Sequence, residues 1–259
     1  MKFFKTACLS ITLGLLASNF YAQEKADGPF KLAIKTQSSY IDKGTECTDN
    51  VTFFGDLKFS TKDNLFSIGV SSATSIVKDY NEFDYFVSFS KSGFSLSVWD
   101  VLSSSEGNKK ETSKNAFNYN PKQTSHHIDV TLEYQFEEYL PLKLRWTTVV
   151  FGRDKGTVDT KKSTKGNIYS TYVSAYYPIV QGEKVNLTAG VGGAFALRKY
   201  SKTEDNFLYG NTAGIVNIEL IASRDIEIFD YKLPVYISGV WNPQSEKTYM
   251  QIGVNLVKF

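Results

Sequence analysis

The residues with the clearest capacity for chemistry are few. His126 and His127 are the only histidines in the chain, and they are adjacent. On an extended strand, neighbouring side chains point to opposite faces, so this pair is poorly placed to share one metal ion. The position two residues beyond His126 is Ile128, where a histidine-assisted hydrolase would want a serine, and no Gly-x-Ser-x-Gly elbow occurs. No catalytic, metal-binding or cofactor-binding residue is therefore assigned. The pair is read as loop-edge residues, with His126 outward at a rim. Cys47 and Cys8 are the only cysteines. Cys8 sits in an N-terminal leader, so the processed chain keeps one thiol and no disulfide framework.

A second group is larger and has a different character. Lys31, Lys35, Asp56, Lys58, Asp84, Asp129, Glu133, Lys143, Arg145 and Glu219 lie on the polar parity of stretches that alternate between apolar and polar residues. Both signs are represented. If these side chains share an interior, they either line a watery passage and filter ions or pair across it and close it. Asp129 or Glu133 with Lys143 or Arg145 are the expected pairs, because they fall on consecutive segments.

The elements that must position these residues are strands. Val51, Phe53, Leu57 and Phe59 alternate with Thr52, Phe54, Asp56 and Lys58; Ile128, Val130, Leu132, Tyr134 and Phe136 alternate with His127, Asp129, Thr131, Glu133 and Gln135. Such a period of two gives each strand one apolar and one polar face. About twelve segments repeat the pattern, over 30–42, 50–60, 64–74, 81–90, 94–102, 126–137, 141–152, 168–177, 185–197, 212–223, 232–241 and 248–258. Most have the roughly 9–11 residues that a tilted strand needs to cross a bilayer. Short connections such as 61–64 and 91–93 broadly alternate with long polar ones such as 103–125, 153–167 and 198–211. Tight turns at one rim and extended loops at the other are the habit of a transmembrane barrel. Arg224 to Tyr231 breaks the alternation, being long where a tight turn is expected.

Aromatics close to strand ends on the apolar parity, Tyr40, Phe59, Phe83, Phe136, Tyr169, Tyr177 and Trp241, are expected to form interfacial girdles. The fold class expected is all-β: one transmembrane antiparallel up-and-down barrel with a backbone radius on the order of 12 Å. A soluble sandwich or lipocalin-like barrel would also alternate, but a twelve-strand soluble barrel needs an apolar filling, and the second parity is largely polar.

Residues 1–22 read as a secretory signal peptide: Lys2 and Lys5, an apolar stretch from Thr6 to Ala17, and a cut after Ala22. Residues 23–259 are then the barrel. The full chain carries 29 basic and 27 acidic residues, and without its first 22 it carries 27 of each. That neutrality argues against nucleic acid as a partner. Phe259 ends the sequence, and a terminal aromatic suits recognition by barrel-assembly machinery. The apolar set behind it is Leu256, Val254, Ile252 and Met250, on the opposite parity from Phe259. A bulge close to Val257 would reconcile the two.

Several segments together resemble the TorF-like porin family in its Bacteroidetes form. They are Tyr40-Ile41-Asp42-Lys43-Gly44, similar to an early Tyr-x-x-Arg-Gly strand end with Lys43 in place of arginine; Gly93-Phe94-Ser95-Leu96-Ser97-Val98; His127 through Tyr134; Leu140 through Trp146; Phe151-Gly152-Arg153-Asp154; and Tyr169 through Pro178. The resemblance implies an outer-membrane barrel, called a porin mainly by analogy, with no catalytic residues and no cofactor. The expectation is a Gram-negative outer-membrane protein that passively admits small polar solutes or ions, its partners being membrane lipid, lipopolysaccharide and the assembly machinery. A closed barrel with a structural or adhesive role and, further off, a lipid-modifying enzyme are the alternatives.

Overall fold

The computed structural model describes residues 28–105, 116–121, 123–136, 140–155, 166–199, 207–229 and 231–258. The leader expected over 1–22, Cys8 and Phe259 lie outside the described residues. The wall consists of β1 (Phe30–Gln37), β4 (Thr52–Ser60), β5 (Phe66–Ser75), β6 (Tyr80–Lys91), β7 (Phe94–Ser105), β8 (His126–Gln135), β9 (Lys143–Gly152), β10 (Ser170–Gln181), β11 (Asn186–Ala196), β12 (Gly214–Ile228), β13 (Tyr231–Asn242) and β14 (Lys247–Lys258). Each pairs antiparallel with its neighbours, and β1 closes the ring against β14, giving a closed barrel of twelve strands. Two short strands, β2 (Tyr40–Asp42) and β3 (Thr45–Thr48), form a separate hairpin between β1 and β4.

The polarity of this barrel is inverted. Phe53 and Leu57 on β4, Phe66 and Ile68 on β5, Val87 on β6 and Met250 on β14 are exposed on the outside, whereas Thr52, Ser75, Ser170, Thr171 and Ser238 are fully buried. Leaving one large apolar side chain in water forfeits about 1.5–3 kcal/mol relative to covering it. A belt of them needs an apolar surround. Phe59, Phe83, Tyr177 and Trp241 face outward near strand ends, as the girdle expectation requires. Tyr40 does not: it lies in the β2–β3 hairpin with its ring against Phe54 and Tyr80. Alternation does continue from β1 into residues 40–42, but the chain has already left the wall.

Two other expectations change. The connection between β12 and β13 is tight, because β12 extends to Ile228 and β13 begins at Tyr231. The polar residues Arg224, Asp225 and Glu227 pair with Val235, Pro234 and Lys232 in the ladder. Strand pairing satisfies their backbone whatever their side chains are, so polarity alone does not mark a turn. At the other end of the sheet the expected irregularity is present: Ile34 pairs with Val257 and Lys35 with Asn255, leaving Leu256 as the extra residue of a bulge.

Inward glycines make room for rings. A Cβ on Gly69 would meet the ring of Phe86 at 2.6 Å, and those on Gly190, Gly192 and Gly253 would run into Tyr176, Tyr172 and Tyr236. Each ring lies flat against a neighbouring strand instead of standing across the lumen. Replacing Gly190 or Gly253 by valine should cost about 1–3 kcal/mol through overpacking. The measurement is the temperature at which the folded band converts to the unfolded band on a gel. Gly239→Ala, with nothing within 4 Å of the added carbon, should leave that temperature unchanged.

Candidate functional site

The site is the lumen, and its filling is lopsided. On the β10–β14 side a polar layer occupies it. Asn217 Nδ2 donates to the hydroxyls of Tyr172 and Tyr176 (3.3 Å each), and Tyr176 Oη donates to Glu219 Oε2 (3.0 Å). Gln37 bonds to Tyr236, and Gln251 Nε2 donates to the carbonyl of Ser39 (2.7 Å). On the β1 and β4–β9 side a cavity of about 1200 Å³ remains.

The predicted lining residues separate accordingly. Lys31, Lys35, Asp56, Lys58, Asp84, Asp129, Glu133 and Arg145 border the cavity. Glu219 belongs to the tyrosine layer, and Lys143 is tied to Glu133. Glu133 is gripped twice, by Lys143 Nζ at 2.7 Å and by Arg145 through Nε and Nη2 at 2.9 and 2.8 Å. Both cations follow from the register, which sets Gln135 opposite Lys143 and Glu133 opposite Arg145. Asp129, offered as an alternative partner, makes no ion pair within 4 Å among the described residues. Charge is layered along the axis: Lys31, Lys58, Lys143 and Arg145 near the end that carries both termini, and Glu82, Asp84 and Asp129 near the other.

Above the carboxylates lies the β2–β3 hairpin, which crosses the lumen. Its base is held at β6 and the β5–β6 turn: Tyr40 Oη donates to Glu82 (3.3 Å), and Thr48 Oγ1 and Asn50 Nδ2 donate to Asp79 (2.7 and 3.1 Å). A bond from Ser75, with those from Thr48 Oγ1 and Asn50 Nδ2, holds the Asp79 carboxyl below its usual range. The tip reaches β12 and β13, on the opposite side of the ring. Asn242 Nδ2 donates to the Gly44 carbonyl (2.9 Å), and the α-carbon of Gly44 lies against the Val216 carbonyl so closely that no Cβ fits. Lys43 and Gly44 both have positive φ, 50° and 78°, as the two central residues of a type I′ hairpin require. Lys43 Nζ sits 2.7 Å from Asp42 and 4.9 Å from the centre of the Tyr209 ring. Burial opposes the charge on this ammonium, but Asp42, Tyr209 and Asp129 outweigh it and hold the group above its ordinary range. Cys47 is half-buried in the same hairpin, and burial with the carboxylates of Asp42 and Glu82 pushes its thiol up, away from the reactive thiolate.

The segment read as one strand over 30–42 leaves the wall at its end, so Tyr40, expected on the outer girdle, lies with Asp42 and Lys43 on the cavity; Glu82 borders it too and was not named. Glu82 shares the parity of Asp84 and was legible on that ground. Trp99, on the parity of Ser95 and Ser97, was too; it stacks on Phe86 at 4.4 Å. His127 points inward and borders the cavity.

His126 is on the outward face but is not a solvated rim residue, being only 1% exposed. Residues from Ala116 onward fold back over it. Its Nδ1 is 2.8 Å from Asp100 Oδ1, its Nε2 is 2.9 Å from the Ala116 carbonyl, and the Tyr119 ring stacks on it at 4.4 Å. Both partners are acceptors, so both contacts are hydrogen bonds when the ring is imidazolium. Tyr119 Oη also donates to Asp100 (2.6 Å), a bond that pushes the phenol up to about 12. With both ring nitrogens engaged, His126 presents neither to a nucleophile. Asp100→Asn should release residues 116–124 from the wall, seen as faster amide hydrogen exchange across that segment with unchanged exchange in β10–β14. Among the described residues no group of three His, Cys, Asp or Glu side chains is arranged to hold a metal ion.

No family model matches the chain, and no curated protein matches it. Solved structures that resemble it are membrane barrels. One described as KdgM porin has a TM-score of 0.45 and 10% identity, covering 87% of this chain and 97% of its own. NanC porin gives 0.45 and 11%, with 87% and 98% covered. An outer membrane channel from Pseudomonas putida F1 gives 0.41 and 10%, with 88% and 94% covered. Similarity of this degree assigns no function to the chain.

Replacing Glu133 by glutamine should leave Lys143 and Arg145 unneutralised at their end of the lumen. Under a KCl gradient across a planar bilayer, the reversal potential should move toward chloride selectivity relative to the unmodified protein.

Proposed function

We propose that this chain is an outer-membrane channel of a Gram-negative bacterium, freed of its leader on export, that passively admits small polar solutes or ions through the open half of its lumen. The observation that carries this reading is the charged cavity of about 1200 Å³ inside a wall whose outer face is apolar. A chain folded only to display loops has no need of a wet, charge-layered interior. The β2–β3 hairpin would set the narrowest point, since it spans the ring from β6 to β12. The TorF-like porin family of Bacteroidetes is the finer assignment we favour; residues 40–44, which carry part of that resemblance, form the hairpin and its tip. Outer-membrane lipid and lipopolysaccharide would surround the barrel, and the assembly machinery would insert it.

A closed structural barrel is the second reading, favoured by the hairpin and by the tyrosine layer on β10–β14. A lipid-modifying enzyme has less support, because the Nε2 of His126 is occupied by a backbone carbonyl.

Single-channel recording distinguishes these. Discrete openings of small conductance are expected from the refolded, processed chain. Exchanging residues 40–48 for a short Gly-Ser linker should raise the conductance several-fold. A correctly folded barrel that stays silent with and without the hairpin would exclude the channel.

A further inference from the structure

Acidic and basic groups on the cavity wall differ in how they meet water. At the end away from the termini the acids are covered or matched. Asp84 and Asp129 are only 7% and 6% exposed. Glu82 accepts from the hydroxyls of Tyr80 (2.5 Å) and Tyr40 (3.3 Å), and Asp42 is 2.7 Å from Lys43. Arg153 borders the same cavity and adds a second positive charge there. At the end with the termini the balance is reversed. The register sets Lys31 on β1 directly opposite Lys58 on β4, and both are half-buried on the cavity wall. Lys31 Nζ donates to Asn64 Oδ1 (3.4 Å), a neutral amide that leaves the charge in place. Lys143 and Arg145 share one carboxylate, Glu133, and the Arg145 side chain remains 44% exposed. Asp56, one step deeper along β4, accepts from Ser71 Oγ (2.5 Å).

The charge that meets water in the cavity is therefore mainly positive, and it stands at one mouth. Like charges directly opposite each other on a ladder repel. An anion passing close to both relieves that repulsion, whereas a cation adds to it. Wall charge acts over about 10 Å at 0.1 M salt, a distance comparable with the open width of a lumen whose other half is filled. Selectivity of this kind needs no converging ligands, only a field of one sign across a narrow wet path. We propose that Lys31 and Lys58, with Arg145 at the same end, form an anion filter, and that the solutes this barrel admits are small anions, inorganic or carboxylate. The proposal rests on the reading of the lumen as a solute passage and names the charge class of what passes. Lys31 and Lys58 act here as specificity-determining residues, through their charge and not through a fixed pose of the solute. Glu133 opposes them by holding part of the field of Lys143 and Arg145 in ion pairs.

The test is the reversal potential of the refolded, processed chain in planar bilayers under a KCl gradient. Chloride is expected to permeate severalfold better than potassium. Lys31→Gln and Lys58→Gln should each bring that ratio toward one, and Lys31→Glu combined with Lys58→Glu should invert it in favour of potassium. Lys91→Gln removes a charge from the exposed end of β6, off the cavity wall, and should leave the ratio unchanged. Raising the salt to 1 M, where the screening length falls to about 3 Å, should weaken the preference. With potassium acetate in place of KCl, acetate should carry current in the parent and yield to potassium in the double glutamate variant. Heat-modifiable migration establishes that each variant is folded before it is compared. A preference for potassium in the parent, a ratio unmoved by the Lys31 and Lys58 variants, or an equal shift in Lys91→Gln would each overturn the filter, and exclusion of acetate would overturn the carboxylate class. A folded barrel that conducts without preferring anions sinks the filter alone. A folded barrel that never conducts removes the passage, and the filter with it.

Discussion

Pairing of β1 with β14 is the interaction on which the rest of this molecule depends. An open sheet with this outer surface would present two edges of unsatisfied amides and carbonyls to an apolar surround, where each costs several kcal/mol. Closing the ring removes both edges at once. It also creates the lumen, since polar side chains that would otherwise lie on one face of a flat sheet are turned toward each other. The bulge at Leu256 belongs to this closure, because it lets β14 keep Met250, Ile252, Val254 and Leu256 on one parity while its last residues pair with β1.

Once the ring is closed, its interior has to be filled or wetted. Both happen, on different sides. The β10–β14 side supplies tyrosines laid over glycines and linked through Asn217, Glu219 and Gln251, and the β2–β3 hairpin supplies a crosspiece between β6 and β12. The remaining side keeps its charge. There Glu133 pairs with two cations toward the end with the termini, and carboxylates gather under the hairpin. A crosspiece of this kind depends on Gly44, because the tip can approach the Val216 carbonyl only without a Cβ. It depends as much on the acceptor Asp79 and the donor Asn242, which hold its two ends.

Among the described residues of the outer face, Asp100 and His126 form a buried ionisable pair. Two ionisable groups facing an apolar surround are tolerable only when their hydrogen-bonding capacity is met. The returning segment meets it, with the Ala116 carbonyl on one side and the Tyr119 ring and hydroxyl on the other. Residues Ala116 and Tyr119, between β7 and β8, thus shield the wall.

Strand number, parity and the outward belt were legible in the sequence, because side chains on a strand alternate and burial acts on each one directly: Leu57 and Lys58 differ in what they can face whatever else the fold does. The same logic named Lys31, Asp84, Asp129 and Arg145 as inward residues, and the adjacency of the two segments offered Asp129 or Glu133 as partners of Lys143 and Arg145, a choice that only the register decided for Glu133. Tertiary structure alone decided the rest. Alternation in residues 40–42 is the same whether the chain stays in the wall or leaves it, so the hairpin, Tyr40 and Lys43 could not be placed. Polar residues at 224–227 read as a turn because ladder hydrogen bonds, which belong to the backbone, leave no mark on side-chain type. Nor could one strand's sequence show that His126 would find Asp100, or that half the lumen would stay open, since both depend on distances between segments far apart in the chain.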